Sequence, residues 1–248
     1  MPILLEIGFF RLDTYTALGL IALGLFLTYT RKRAVSRGID GGAAVIILVG
    51  VYVAGLLGAV LGDVIEKAAH DTSILTFSGV VMRSGATSSF GLLTGGLTAI
   101  LLMEKFKVQP ADGLEAAAIP LAFMFSIARV GCWCAGCCRG VGKVYAAAPW
   151  WGAHFPGDTA GFYRIPSQLM ESAVSLLIAM ILVYVDRKVV GPDKAKSPKI
   201  LFPLFVLLYG SYRLVFDGFR ELQPGSAFCF SRYIAAAVIA ASALWLVK

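Results

Sequence analysis

The sequence has few charged residues. Only 15% of its 248 residues are Asp, Glu, Lys or Arg, whereas 58% are hydrophobic, and the mean hydropathy is +0.79. Soluble domains carry about 25% charged and about 45–50% apolar residues, and a chain of this size needs a polar surface to stay in water. The shortage of charge therefore excludes a soluble domain, and the apolar excess excludes a disordered chain. The composition predicts a membrane protein.

Two further features are missing from the sequence. Histidine occurs only at positions 70 and 154, so few imidazoles are present for proton transfer. The first twelve residues contain Glu6 and lack the basic region of a cleavable signal. The net charge of +7 does not indicate a nucleic-acid partner, because Lys and Arg are clustered between apolar runs, as in the loops of membrane proteins.

Seven apolar stretches are each long enough to cross about 30 Å of hydrocarbon as a helix. We predict an all-α integral membrane protein with seven transmembrane helices and a single polytopic domain over residues 1–248. The predicted spans are about 13–30, 43–62, 87–104, 113–131, 166–185, 200–217 and 230–247.

Lys and Arg are concentrated in alternate connections between these spans, at 31–37, 105–107 and 187–199. Because positive residues favour the cytoplasmic side, we predict an N-terminus outside the cell membrane and a cytoplasmic C-terminus. The two long connections, about 63–86 and 132–165, then face outward. Connections of that length usually carry a function.

Four of the five cysteines lie within seven residues of one outward-facing connection. Three interpretations remain open: one or two disulfides, a site for a thiophilic metal, or direct participation in a reaction. The spacing C-x-C-x-x-C-C matches no recognised zinc finger, and we assign no metal and no cofactor. The cysteines are Cys132, Cys134, Cys137, Cys138 and, further along, Cys229.

Ionisable residues also occur inside the predicted helices, where burial of a charge is costly and usually functional. Arg129 and Glu171 lie near the outer ends of two spans, and Arg213, Asp217 and Tyr209 share one face of another. One interpretation is a structural Arg213–Asp217 ion pair. The other is a polar cavity for lipids, because the planar guanidinium fork matches phosphate oxygens.

Three segments, taken in order, resemble those of the bacterial prolipoprotein diacylglyceryl transferases. Residues 128–140 are similar to G-R-x-G-N-F-x-x-G-E-x-x-G, and residues 164–171 are similar to R-H-P-S-Q-L-Y-E. Residues 209–220 are similar to Y-G-x-x-R-x-x-x-E-x-x-R, and Tyr15 stands at the family's usual tyrosine. The family has seven membrane helices with the N-terminus outside, in agreement with the topology predicted above.

The resemblance implies a multi-pass enzyme of the bacterial inner membrane. The family transfers the diacylglyceryl group of phosphatidylglycerol to a lipobox cysteine thiol of a preprotein, releasing glycerol 1-phosphate. By this resemblance Arg129 and Arg213 hold the phosphate of phosphatidylglycerol or a similar anionic phospholipid. The residues expected to line or brace the cavity are Tyr15, Gly131, Gly136, Gly140, Gln168, Glu171, Tyr209 and Asp217.

The sequence departs from the family at positions that matter for chemistry. Cys132 and Cys137 replace an Asn and a Glu. Of the family's two histidines, one falls near Phe90 and the other falls at Ile165. We therefore predict that Cys132 and Cys137 take part in catalysis, with Cys137 as a base, a transient carrier or a steric substitute whose thiolate is favoured by a nearby arginine. The alternative is a membrane thiol redox or metal-handling protein that uses the same fold.

Overall fold

The structure is a computed structural model that describes residues 3–7, 10–68, 88–190, 197–216 and 219. It is mostly helical and consists of two compact units. One unit is formed by Arg31–Leu114, and the other by the residues up to Thr30 together with those from Glu115 onward.

Six α-helices follow one another in the described residues. Their positions agree with the first six predicted spans, and the seventh, 230–247, lies outside the described residues. The helices are α1 (Thr14–Val35), α2 (Gly41–Ala68), α3 (Ser88–Lys105), α4 (Pro110–Ala135), α5 (Ser167–Val185) and α6 (Leu201–Phe216).

Three of these segments are long and apolar enough to cross a membrane, judged by length and composition. They are Gly41–Ile65, Pro110–Ala135 and Ser167–Val190, the last including a π-helical turn at Asp186–Val190. Helix α6, Leu201–Phe216, is apolar but shorter.

Two short antiparallel hairpins were not expected from the prediction of an all-α protein. The first pairs β1 (Ile3–Ile7) with β2 (Phe10–Asp13), and the second pairs β3 (Gly142–Val144) with β4 (Phe162–Arg164). Strands this short are hard to recognise by alternation of residue types. The second hairpin gives hydrogen-bonded structure to the long connection between α4 and α5.

In the unit formed by Arg31–Leu114, helices α2 and α3 pack closely through glycine. A Cβ atom built on Gly91 would lie 2.8 Å from the carbonyl oxygen of Gly55, and one built on Gly95 would lie 3.3 Å from that of Val51. The hydroxyl of Thr94 donates a hydrogen bond of 2.8 Å to the carbonyl of Ala54. Small residues and hydroxyl groups of this kind are typical of helix contacts in membranes.

In the other unit, the core lies between α4, α5 and α6 and contains the buried side chains of Ile119, Leu182 and Phe205. Two polar contacts fix the helices to one another. Glu115 accepts a 2.8 Å hydrogen bond from the first-turn N–H of Phe202, and the Ser172 hydroxyl donates to the Ser126 carbonyl. This packing places the C-terminal parts of α4 and α6 beside the N-terminal part of α5.

Candidate functional site

One buried carboxylate receives two arginines from two other helices. Glu171 of α5 has only 3% of its side chain exposed, and its Oε2 atom lies 2.6 Å from Nε of Arg129 in α4. The same oxygen lies 3.3 Å from Nη1 of Arg213 in α6. The three residues that sequence reasoning selected separately therefore form a single charged centre.

This centre carries two positive charges and one negative charge, and therefore a net positive charge. The side chains of Arg129 and Arg213 are 20% and 24% exposed, so both guanidinium groups reach the edge of the packed helices. A guanidinium has five N–H donors in a planar fork, and one carboxylate oxygen does not use that capacity. The arrangement can bind a monoanionic phosphate.

Aromatic residues surround the charged centre. The ring of Tyr209 packs against Phe125 and Phe205, with centroid distances of 5.1 and 5.6 Å. Tyr15 of α1 is 46% exposed, and a Cβ atom built on Gly131 would lie 3.4 Å from its ring. This is an ordinary van der Waals distance, so α4 passes directly beside the tyrosine at Gly131. These residues place aromatic rings and hydroxyl groups beside the charged centre.

Helix α4 ends in a Schellman motif beside this centre. Gly136 has a left-handed backbone with φ +66°, its N–H donates to the Trp133 carbonyl at 3.0 Å, and the N–H of Cys137 donates to the Cys132 carbonyl at 3.2 Å. Both bonds are those that define the motif, and the left-handed position favours glycine. The motif reverses the direction of the chain, so that Cys137 lies close to Cys132.

The first turn of α5 holds the residues after this motif. The side-chain Nε2 of Gln168 donates to the backbone carbonyl of Cys137 at 2.8 Å, and the Ser167 hydroxyl donates to the backbone carbonyl of Cys138 at 3.3 Å. Gln168 is 1% exposed, and its Oε1 atom has no hydrogen-bond partner among the described residues. Gln168 therefore links the first turn of α5, one turn before Glu171, to the cysteine segment.

Three of the four described cysteines come together. The sulfur atoms of Cys132, Cys137 and Cys138 all lie within 4.8 Å of one another, and all four residues are in the thiol form. Partial desolvation of the Cys137 thiol in this turn raises its pKa, and the neighbouring Cys138 raises it further. This direction is opposite to the one that an adjacent arginine would produce. Arg139 instead donates from Nε to the Gly136 carbonyl at 2.7 Å.

Sequence reasoning did not select the ion pair that orders the connection between α4 and α5. Asp158, with 3% of its side chain exposed, accepts from Nε of Arg164 at 2.9 Å and from the Phe155 N–H at 3.1 Å. Burial acts to raise the pKa of Asp158, but the Phe155 and Arg164 hydrogen bonds outweigh it, and the pKa lies below its usual value. A single Asp in a long connection gives no pattern by which to find it.

Gly140 allows this connection to pass close to the start of α5. A Cβ atom at Gly140 would collide with the carbonyl oxygen of Ile165. The Gly140 carbonyl also accepts from Nη1 of Arg164 at 3.4 Å. Arg164 thus links Asp158 to the segment that follows the cysteines.

The family model for prolipoprotein diacylglyceryl transferase matches residues 2–248 of this chain. The chain belongs to the prolipoprotein diacylglyceryl transferase family. This family is a membrane protein family, which agrees with the long apolar helices.

Two relatives carry the name phosphatidylglycerol–prolipoprotein diacylglyceryl transferase. The protein from Clostridium tetani (strain Massachusetts / E88) is 24% identical over 236 residues, which are 91% of this chain and 87% of the relative. The protein from Streptococcus pyogenes serotype M5 (strain Manfredo) is 24% identical over 250 residues, which are 100% of this chain and 94% of the relative. Both similarities extend along nearly the full length of the proteins compared.

Some residues selected from the sequence lie elsewhere. Asp217, Cys229 and His70 fall outside the described residues. Nδ1 of His154 lies 2.9 Å from the carbonyl oxygen of Phe162 in β4. This contact joins the histidine to the second hairpin. Phe90, near which the resemblance placed a family histidine, lies in α3 with 39% of its surface exposed.

Proposed function

We propose that the protein transfers the diacylglyceryl group of phosphatidylglycerol, or of a similar anionic phospholipid, to the cysteine thiol of a lipobox-containing preprotein. The observation that supports this most strongly is the meeting of Arg129 and Arg213 on the single buried carboxylate of Glu171. Family membership supplies the reaction class. The alternative, a thiol redox or metal-handling function for the whole protein, is not favoured over this proposal.

In the proposed reaction, the acceptor thiolate attacks the carbon of the diacylglyceryl group that is bonded to the phosphate oxygen. A carbon–sulfur bond forms, the carbon–oxygen bond breaks, and its electron pair remains on the phosphate oxygen, so that glycerol 1-phosphate leaves. The acceptor thiol has given up its proton before the attack. The phosphate changes from a diester monoanion to a monoester that gains negative charge as the bond breaks.

The arginine centre would act on this gain of charge. Its excess positive charge stabilises the leaving phosphate more than it stabilises the bound lipid, and only such a difference accelerates a reaction. Glu171 holds both guanidinium groups in place before the lipid enters, so little reorganisation is needed at the moment of bond breaking.

The remaining residues are proposed to shape the cavity. Tyr15, Gly131 and Tyr209 would contact the lipid, and Gln168 and Asp217 would brace the arginine-bearing helices. Gly136 and Gly140 would allow the turn that follows α4. We assign Cys132 and Cys137 to the side of the site where the acceptor thiol arrives, because they follow Arg129 within the same segment, residues 128–140.

We also propose the membrane arrangement. The protein would form one polytopic domain over residues 1–248 of the bacterial inner membrane, with seven spans, the N-terminus outside and the C-terminus in the cytoplasm. The Lys and Arg clusters at 31–37, 105–107 and 187–199 support this orientation. The connections 63–86 and 132–165 would then face the side on which preproteins emerge.

The test is a transfer assay with purified protein, labelled phosphatidylglycerol and a lipobox peptide in mixed micelles. We expect thioether-linked diacylglyceryl peptide from the wild type and none above background from Arg129→Ala or Arg213→Ala. Arg187→Ala is the matched control, because Arg187 is exposed in the turn after α5. Transfer by both site variants at the wild-type rate would refute the proposal, provided that all variants elute as folded protein.

A further inference from the structure

The thiol cluster at the end of α4 is more than the transfer reaction requires. The acceptor thiol comes from the preprotein, so the proposed reaction needs no cysteine of this chain. Cys132, Cys137 and Cys138 nevertheless bring their sulfur atoms within 4.8 Å of one another.

The backbone explains how two of the thiols meet. In a Schellman motif the side chains that flank the helix end, three positions before the cap and two positions after it, normally make an apolar contact. Here those positions are Cys132 and Cys137. Cysteine can serve as a small apolar residue, so this pair alone has a structural explanation.

The third thiol does not fit that explanation. Cys138 is exposed and has a left-handed backbone with φ +55°, a conformation that costs energy for a residue with a side chain. Cys137 is exposed as well, so burial of apolar surface does not account for the two together. With this left-handed conformation, the sulfur atom of Cys138 lies within 4.8 Å of the sulfur atoms of Cys132 and Cys137.

The geometry points to a three-thiolate binding site for one soft metal ion, of the class of Cu(I) or Zn(II), formed by Cys132, Cys137 and Cys138. Metal–sulfur bonds of about 2.3 Å would place the sulfur atoms roughly 3.8 Å apart in the tetrahedral geometry of Zn(II), or roughly 4.0 Å apart in a three-coordinate site. From a separation of at most 4.8 Å, the thiols need to approach only slightly. Thiolates select these ions over hard cations.

The surroundings suit such a site. The carbonyls of Cys137 and Cys138 are fixed by Gln168 and Ser167, and fixed neighbours of this kind orient metal ligands. Each thiol that binds releases its proton to solvent, so three thiolates around either ion leave a net negative charge. Arg129 lies three residues before Cys132 on the same helix face, where its positive charge offsets that charge.

The first experiment measures metal content and affinity with the full-length protein in detergent. Cu(I), supplied anaerobically against a competing chelator, and Zn(II) are titrated separately, and bound metal is determined by elemental mass spectrometry. We expect one ion per chain for at least one of the two metals, and X-ray absorption should give sulfur neighbours at about 2.3 Å. Failure of both metals to bind would overturn the proposal, as would a first shell of nitrogen and oxygen.

Matched serine variants show which sulfur atoms bind. Cys132→Ser, Cys137→Ser and Cys138→Ser should each weaken binding by more than the roughly 10–100-fold that loss of a supporting neighbour causes. Cys134→Ser, from the same segment but outside the cluster, should bind as the wild type does. Equal binding by all four variants would contradict the assignment. Retention of metal by Arg213→Ala would separate this site from the lipid-phosphate site.

A measurement on the wild type avoids any variant that does not fold. The protein is alkylated with and without saturating metal, and each cysteine is quantified by peptide mass spectrometry. We expect metal to protect Cys132, Cys137 and Cys138 while Cys134 reacts at the same rate in both samples. Identical alkylation of the three cluster cysteines with and without metal would overturn the proposal.

Discussion

The Nε atom of Arg129 lies 2.6 Å from Oε2 of Glu171, and this contact joins α4 to α5 at the centre of the site. Because Arg213 approaches the same oxygen from α6, one carboxylate sets the position of both guanidinium groups. A buried charge is tolerated when it is paired. The ion pairs that join these helices are thus also the contacts proposed to position the phosphate-binding arginines, so loss of Glu171 should affect both stability and transfer.

Replacement of Glu171 by Gln should destabilise the protein. The two guanidinium groups would face each other without the carboxylate between them, and removal of one partner from a buried pair costs about 3–5 kcal/mol. The partial exposure of both arginines favours the lower end of that range. Thermal unfolding in detergent should give a lower midpoint for Glu171→Gln. Glu104→Gln, at an exposed position of α3, is the control and should unfold as the wild type does.

Lysine in place of Arg129 or Arg213 should reduce transfer without unfolding the protein. Lysine keeps the charge that pairs with Glu171 but lacks the planar fork that matches phosphate. Removal of one donor to a developing negative charge typically costs about 10²–10³-fold in kcat, and we expect a loss of that order in the micelle assay. Arg187→Lys should retain wild-type kcat. Full activity of both site variants would mean that charge alone is sufficient.

Acidification should weaken the connection between α4 and α5 through Asp158. Hydrogen bonds from Phe155 and Arg164 place the folded-state pKa of Asp158 below its unfolded value. The stability that Asp158 contributes is therefore complete above the unfolded pKa of about 3.9, and it is lost as the pH falls through the folded-state pKa. The difference in unfolding midpoint between wild type and Asp158→Asn should therefore be large at pH 7 and shrink below about pH 4. A difference that is constant with pH would contradict this account.

Alanine at position 140 should disturb the contact between the connection and the start of α5. Its Cβ would meet the Ile165 carbonyl oxygen, which is backbone and cannot rotate away, and insertion of a methyl group into a packed region costs about 1–3 kcal/mol. Gly96→Ala is the control. Its Cβ would meet no atom within 4 Å, and removal of a helix-interior glycine should stabilise by about 0.5–1 kcal/mol. Equal midpoints for the two variants would contradict the close approach.

The sequence by itself determined the class of the protein and much of its fold. Apolar runs and basic clusters are local properties, so the first six predicted spans coincide with the helices α1 to α6. The order of motifs led to the family and to Arg129, Arg213 and Glu171. The short hairpins were missed because strands of three to five residues give too little alternation to recognise.

Only the tertiary structure decided which of these residues meet. Spacing along the sixth predicted span suggested Asp217 as a partner for Arg213. Asp217 lies outside the described residues, and within them the packing of three helices brings Glu171 to both arginines. Four cysteines lie within seven residues, yet the helix rotation and the Schellman turn unite Cys132, Cys137 and Cys138 without Cys134. Residue type is a property of one position, whereas convergence depends on how separate segments pack, and no local pattern encodes that.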